Sequence, residues 1–316
     1  MASSGSVDFS VNRDEIIKDA MFEIGALGDS ETPTDADIQL YSRYLNRLVK
    51  QWQGQADFAP GLKMWSRKRA TLYLQDSDNT YSLGPTGDNW AVAPLETTLS
   101  VAAISGASSV TVTTVTGITS GMYIGIRMDN NSIHWTTVNG APSGSVVTLT
   151  AVTTSAAAAG KSVFAYTTKA RRPLQFVSLM WVNAANNELP MTPIPVQEYE
   201  MLVRKINVGT PGTYYYESQL TDGVIYLNCY PSDTSARLEA VYISPIEDFD
   251  AATDTPDYPQ QWYRALHFGL AVDIYGTARQ GEPSRRLIGL RDEAIAMARN
   301  QDVETTVSYF QPGVDW

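Results

Sequence analysis

The chain has 316 residues, 43% hydrophobic and 18% charged, with 34 acidic against 23 basic side chains and a net charge of −11. That length exceeds what one core ordinarily organises, and the composition excludes a disordered chain. The acidic balance argues against a nucleic-acid grip, no run of 18 apolar residues offers a membrane span, and a single cysteine, Cys229, excludes an internal disulfide or a cysteine zinc cage.

The opening MASSGSVDFSVN has neither a basic start nor an apolar stretch, so export by a signal peptide is not expected. Residues 12–27 then read as a helix, with Asn12 and Glu15 spaced as a capping box and Ile16, Ile17, Ala20, Met21, Ile24 and Leu27 along one stripe. Gly28 and Pro33 break it. Thr34 can cap a second helix whose Ile38, Tyr41, Leu45, Leu48 and Trp52 share a face and which ends at Gly54. Two such helices across a short turn make an αα-hairpin.

From Leu62 the pattern alternates. RATLYLQ, the turn DSDN and TYSLG predict a hairpin. Residues 96–170 are rich in Ser, Thr, Val, Ala and Gly, with SSVTVTTV, MYIGIRM, IHWTTV, SVVTLTAV and KSVFAY as strand candidates between Gly-containing turns. Five or six short strands predict a small sandwich or barrel, inserted into a host that resumes at RPLQFVSLMWV. The densest basic clusters, Arg67-Lys68-Arg69 and Lys169-Arg171-Arg172, are short and flank strand candidates.

PVQEYEMLVRK, 195–205, reads as a short helix opening on a proline. TYYYESQ, GVIYLNCY and ARLEAVYIS predict an antiparallel meander, and EDFDAATDTPDYP a solvated acidic linker. The next stretch, Trp262 to Tyr275, is apolar almost all round. A helix without a polar face is buried on every side, which predicts that a neighbouring subunit covers it through Trp262, Leu266, Phe268 and Leu270. A last helix spans roughly 284–299. The closing DVETTVSYFQPGVDW has strand-like and aromatic character instead of the polar fraying of a free end, so Val307, Tyr309, Phe310, Pro312 and Trp316 are expected to anchor on another chain.

Reactive chemistry is sparse. His134 and His267 lie far apart and read as packing residues. SAAAAGKS, 155–162, misses the first glycine of a phosphate loop and precedes a strand where that loop needs a helix. Asp76-Ser77-Asp78-Asn79 lacks the twelfth-position glutamate of a calcium loop, and the linker acids Glu247, Asp248, Asp250, Asp254 and Asp257 read as solvated. No active site, cofactor site or metal site is expected, and the chain reads as a structural protein.

The order of parts resembles the head-to-tail adaptor proteins of short-tailed bacteriophages, the tail tubular A-type and head-completion proteins. The segments that carry the likeness are DEIIKDAMFEIGALG…LYSRYLNRLVKQWQGQ, RPL, QEYEMLVRK, YPQQWYRALHFGLAVDIYG and DVETTVSYFQP, covering about 1–95 and 171–316. The resemblance implies a twelvefold homo-oligomeric ring at the head–tail interface of a virion, assembled in the host cytoplasm. Such a ring docks on the portal protein, extends the DNA ejection channel without reading DNA sequence, and seats the tail nozzle and possibly fibres. Its C-terminal arm reaches into the portal or a neighbouring subunit.

The expected fold is α+β: a helical bundle of the N-terminal αα-hairpin and C-terminal helices, with antiparallel β elements and an inserted small all-β sandwich or barrel. The expected divisions are a discontinuous adaptor domain over 1–95 and 171–301, the β insert over 96–170, and an extended arm over 302–316. A second reading makes the chain a tail-fibre or capsid-decorating component whose β domain binds a glycan through aromatics such as Trp135 and Tyr123. A third, a hydrolase or lyase, lacks a converging acid–base set.

Overall fold

The computed structural model describes residues 5–28, 30–54, 64–233 and 235–302. Among them are five α-helices, α1 (Arg13–Glu23), α2 (Asp35–Gly54), α3 (Val196–Glu200), α4 (Tyr263–Arg279) and α5 (Arg285–Gln301), against seventeen strands in five sheets. The expectation of a helical bundle with β accessories is therefore corrected. Strands dominate because the β-branched and aromatic alternation of 67–245 closes into sheets with cores of their own. The chain divides into two compact units, one of residues 1–66 with 246–316 and one of residues 67–245.

The first unit is helical. Asn12 Oδ1 accepts from the Glu15 amide at 2.9 Å while Glu15 Oε2 accepts from the Asn12 amide at 2.9 Å, so the capping box closes as its spacing requires. Thr34 and Asp37 repeat the device at the start of α2, with Thr34 Oγ1 accepting from the Asp37 amide and Asp37 Oδ2 from the Thr34 amide, both at 3.2 Å. Ser284 caps α5 by accepting from the Leu287 amide. Helix α4 runs through the middle, packed on α1, α2 and α5. Its Gly269 permits the close approach to α2: a Cβ there would lie 2.9 Å from Leu48 Cδ2 and 3.2 Å from Trp52 Cζ2.

The segment that returns the chain to this unit is held, not solvated. Three α2 side chains spaced along one helix face bind its backbone. Asn46 both donates to Phe249 O (3.2 Å) and accepts from Phe249 N (2.9 Å), Lys50 Nζ donates to Ile246 O (2.6 Å), and Gln53 Oε1 accepts from Ile246 N (2.9 Å). Ile246, Phe249 and Tyr258 are buried in the helical core. The acidic stretch is a linker only at its surface: Asp254 Oδ2 accepts from the amides of Ala251 and Asp250, which holds that carboxyl below the usual carboxylate range.

The second unit contains the sheets. A five-stranded antiparallel sheet runs in the order Glu188–Pro190, Gln175–Val182, Arg237–Ile243, Arg67–Tyr73, Trp90–Ala91. A four-stranded sheet runs Thr192–Pro193, Thr213–Ser218, Gly223–Leu227, Thr80–Leu83, its first pair parallel and the others antiparallel. Leu72, Leu238 and Trp181 from the first and Tyr81, Ile225 and Leu227 from the second share one core.

Two strand pairings expected from the sequence are corrected. Arg67–Tyr73 and Thr80–Leu83 do not form a hairpin; each pairs with a distant strand in a different sheet. The turn between them is a corner, fixed by Tyr81 Oη, which accepts from the Gln75 amide and donates to Asp78 O, both at 3.0 Å. The expected meander is likewise split. Thr213–Ser218 and Gly223–Leu227 form a hairpin, but Arg237–Ile243 crosses to the five-stranded sheet, where Leu238 and Ala240 bury. Alternation fixes which face of a strand is inside and leaves its partner open.

Within 95–170 lie a four-stranded antiparallel sheet (Leu95–Thr98, Ser162–Tyr166, Tyr123–Arg127, Ile133–Thr137) and a pair, Ser109–Thr111 with Val146–Thr148. They enclose a core that includes Leu99, Val112, Ile124, Val147 and Val163. A smaller aromatic cluster joins this segment to the strand ending at Tyr73, whose ring lies 4.1 Å from Phe164 and 5.5 Å from Trp135.

Candidate interaction surface

The four α4-region residues expected to face a sister subunit are enclosed by the chain's own helices. Trp262, Leu266, Phe268 and Leu270 are between 0% and 8% exposed. That expectation is corrected: the helix is apolar all round because α1, α2 and α5 surround it, so no second copy is needed to cover it. Val307, Tyr309, Phe310, Pro312 and Trp316 lie outside the described residues.

The titratable groups singled out in the sequence are occupied structurally. His267 Nε2 bonds Asp19 O at 3.2 Å, and burial lowers its pKa against the opposing pull of Asp19 and Glu23. His134 sits between Ala151 O and Thr154 Oγ1. Gly160, at φ +87°, makes the SAAAAGKS stretch a turn into the strand Ser162–Tyr166, so no helix N-terminus is present to cradle phosphate. Cys229 is buried and its thiol is pushed up by that burial. Among the described residues, no group of three or more His, Cys, Asp or Glu is gathered to hold a metal ion. Tyr123 stacks on Tyr166 at 5.0 Å and Trp135 lies across Gly125 on the neighbouring strand.

A surface the sequence did not reveal lies just after α3. The expected helix over 195–205 stops at Glu200, and residues 201–208 leave it with their large apolar side chains in solvent: Met201 is 76% exposed, Val203 94%, Ile206 68% and Val208 71%. The backbone of this loop is tied at several points. Leu202 N bonds Tyr199 O, Asn79 Nδ2 donates to Lys205 O at 2.9 Å, and Tyr230 N donates to Asn207 O at 2.8 Å. Lys205 is tied too, with Nζ 2.7 Å from Glu200 Oε2 and 4.3 Å above the Tyr199 ring. Val208–Gly209 then pairs in parallel with Tyr230–Pro231. The β-branched Val203, Ile206 and Val208, unpaired with any helical stripe, were the available signal that the helix ends early.

Each unit also has a cavity among its described residues. In the helical unit a space of about 600 Å³ between α2, α4 and α5 is lined by Trp52, Gly269, Asp273, Arg291 and Ile295, and burial raises the Asp273 carboxyl while Arg291 pulls it down. In the sheet unit a space of about 710 Å³ lies over the five-stranded sheet. Val92, Pro94, Met180 and Val241 give it an apolar lining. Glu96, Glu188 and Glu239 stand among its polar groups beside Lys68, Arg69 and Arg237, the last held by Glu239 at 2.8 Å.

No protein-family model and no curated protein matches this chain.

Proposed function

We propose that this chain is a structural adaptor between the capsid portal and the tail of a short-tailed bacteriophage, working as a ring around the path of the ejected DNA. The observation that carries the reading is the tethered apolar loop Met201–Val208. Apolar side chains held in solvent on a tied backbone suit a contact with another macromolecule. The sequence segments that resemble adaptor proteins point to the same class of role. A net charge of −11 suits a wall past which phosphate must slide without adhering. Catalysis has no part in this proposal, and its site of action is the head–tail junction of the virion.

The test mixes the purified full-length protein with portal assemblies and images the product by electron microscopy. A ring of added density coaxial with the portal is expected. Persistent absence of association over a range of salt would remove the proposal. Deleting residues 303–316 asks separately whether the expected arm is the portal contact: retained portal binding would assign that contact elsewhere.

A further inference from the structure

The loop after α3 begins with the most exposed of the methionines whose side chains the structure describes. Met201 is 76% exposed and Met297 48%, whereas Met180 is half-buried and Met21, Met122, Met128 and Met191 are buried. The two exposed thioethers differ in a second respect. Arg264 Nη1 donates to Met297 Sδ at 4.0 Å, which engages a sulfur lone pair with a cation. Among the described residues no hydrogen bond reaches the Met201 sulfur. Oxidation of a thioether needs a lone pair open to the oxidant, so the chain presents one methionine that is both exposed and unengaged. We propose that Met201 is the peroxide-reactive thioether of this chain, and that its oxidation switches off the contact made by the loop Met201–Val208. The site itself stands on exposure and on the state of the sulfur. Its consequence rests on the reading of the loop as a contact with another macromolecule.

The co-reactant is hydrogen peroxide or an organic hydroperoxide. A lone pair of the Met201 sulfur attacks the nearer peroxide oxygen, and the O–O bond breaks as the S–O bond forms. The proton on the transferred oxygen passes to the departing hydroxide or alkoxide, which leaves as water or alcohol. Sulfur loses two electrons and the peroxide gains them, so no further reductant or oxidant enters the step.

The product is a polar sulfoxide in place of a flexible apolar side chain. Its oxygen leaves water at a cost unless a partner offers a donor, so a surface that fits the thioether fits the sulfoxide poorly. The rest of the loop is untouched. Val203, Ile206 and Val208 carry no oxidisable group, and the bonds from Leu202 N to Tyr199 O, from Asn79 to Lys205 O and from Tyr230 N to Asn207 O all engage the backbone. Oxidation therefore changes what the loop presents and leaves its path as it was. Sulfoxide reductases return the thioether, and the exposure that admits peroxide admits them too, which makes the change reversible.

The test treats the folded full-length protein with hydrogen peroxide for increasing times, quenches with catalase and maps the peptides by mass spectrometry. Met201 should gain its oxygen about fivefold faster than Met297, with Met180 and the buried Met21, Met122, Met128 and Met191 slower still. Any of these oxidised as fast as Met201 would overturn the site. Portal binding is then measured for each protein against its own untreated sample. Wild type and Met297→Leu should bind about tenfold more weakly once Met201 is oxidised, and reductase treatment should restore them. Met201→Leu should show no change on treatment. Undiminished binding by wild type oxidised at Met201, or an equal loss by treated Met201→Leu, would overturn the switch and leave the adaptor reading in place. A melting temperature lowered by oxidation at Met201 alone would also overturn it, because the loss would then lie in the fold. Untreated wild type that does not bind portal would instead count against the adaptor reading, and the oxidation rates would still decide the site.

Discussion

Asn46 and Phe249 are bonded to each other in both directions, the Asn46 side-chain amide giving and receiving one hydrogen bond to the backbone of a residue 203 positions away. With Lys50 and Gln53, Asn46 makes one face of α2 a docking strip for the chain as it returns to the helical unit. Asn46→Ala leaves an amide and a carbonyl of Phe249 without their partner in a part-buried setting, so a loss of about 2 kcal/mol is expected in urea unfolding. Asn46→Asp should be no better, because the carboxylate keeps the acceptor and turns a second oxygen against Phe249 O. An Asn46→Ala midpoint equal to wild type would show that the strip does not hold the segment.

Tyr258, Trp262, Trp52 and Trp65 form one aromatic cluster, with ring centroids of Trp65 and Tyr258 4.7 Å apart. The Tyr258 hydroxyl is buried in it without a hydrogen-bond partner, and its pKa is raised by that burial. Replacing an unsatisfied buried hydroxyl with hydrogen removes a desolvation cost, so Tyr258→Phe should raise stability by about 1 kcal/mol. Thermal melts decide the matter, and a variant clearly less stable than wild type would mean the hydroxyl is satisfied in solution.

His267 gives the helical unit a pH dependence of defined sign. Burial and the nearby Arg264 hold its pKa below the ordinary 6.5, while Asp19 and Glu23 only partly offset them. The unfolded chain therefore binds this proton more readily than the folded one, and stability rises with pH across the window. The contribution is complete above the ordinary histidine value and is lost as pH falls below it. Wild type should lose more melting temperature between pH 7.5 and 5.5 than His267→Gln does. Parallel pH profiles for the two proteins would contradict the assignment.

Gly269 sets the spacing of α4 on α2. Alanine is favoured over glycine in a helix by about 1 kcal/mol, but overpacking of this kind costs about 1–3 kcal/mol. The new methyl would press on Leu48 and on the rigid Trp52 ring, which leaves the second effect ahead. Gly269→Ala should therefore destabilise the protein by about 1 kcal/mol in equilibrium unfolding. A stabilised variant would show that Leu48 and Trp52 can retreat without cost.

What could be read from the sequence follows the range of the interaction that fixes it. The Asn12–Glu15 box, the Thr34 cap and the stripe through Leu45, Leu48 and Trp52 are settled within a few residues, and they stand where the spacing put them. The strand Arg67–Tyr73 was legible as a strand, yet its partner Arg237–Ile243 lies some 170 residues on, beyond any local signal. For α4, uniform apolarity reported burial correctly and said nothing of what does the burying; three helices of the same chain supply it. The surface loop after Glu200 was hidden for the opposite reason. Met201, Leu202, Arg204 and Lys205 favour a helix locally, and the ties from Asn79 and Tyr230 to the backbone of Lys205 and Asn207 hold the segment out of one.

The corner at Tyr81 and the split helical unit together set an order of maturation during synthesis. Residues 67–245 are all made before α4 exists, so the sheet unit can close on the ribosome while α1 and α2 have only each other to pack on. The strand Arg67–Tyr73 must itself be kept until Arg237–Ile243 emerges. A nascent chain arrested before residue 246 would leave the apolar side of α2 without α4 to cover it, and newborn copies should rely on chaperone cover for that interval.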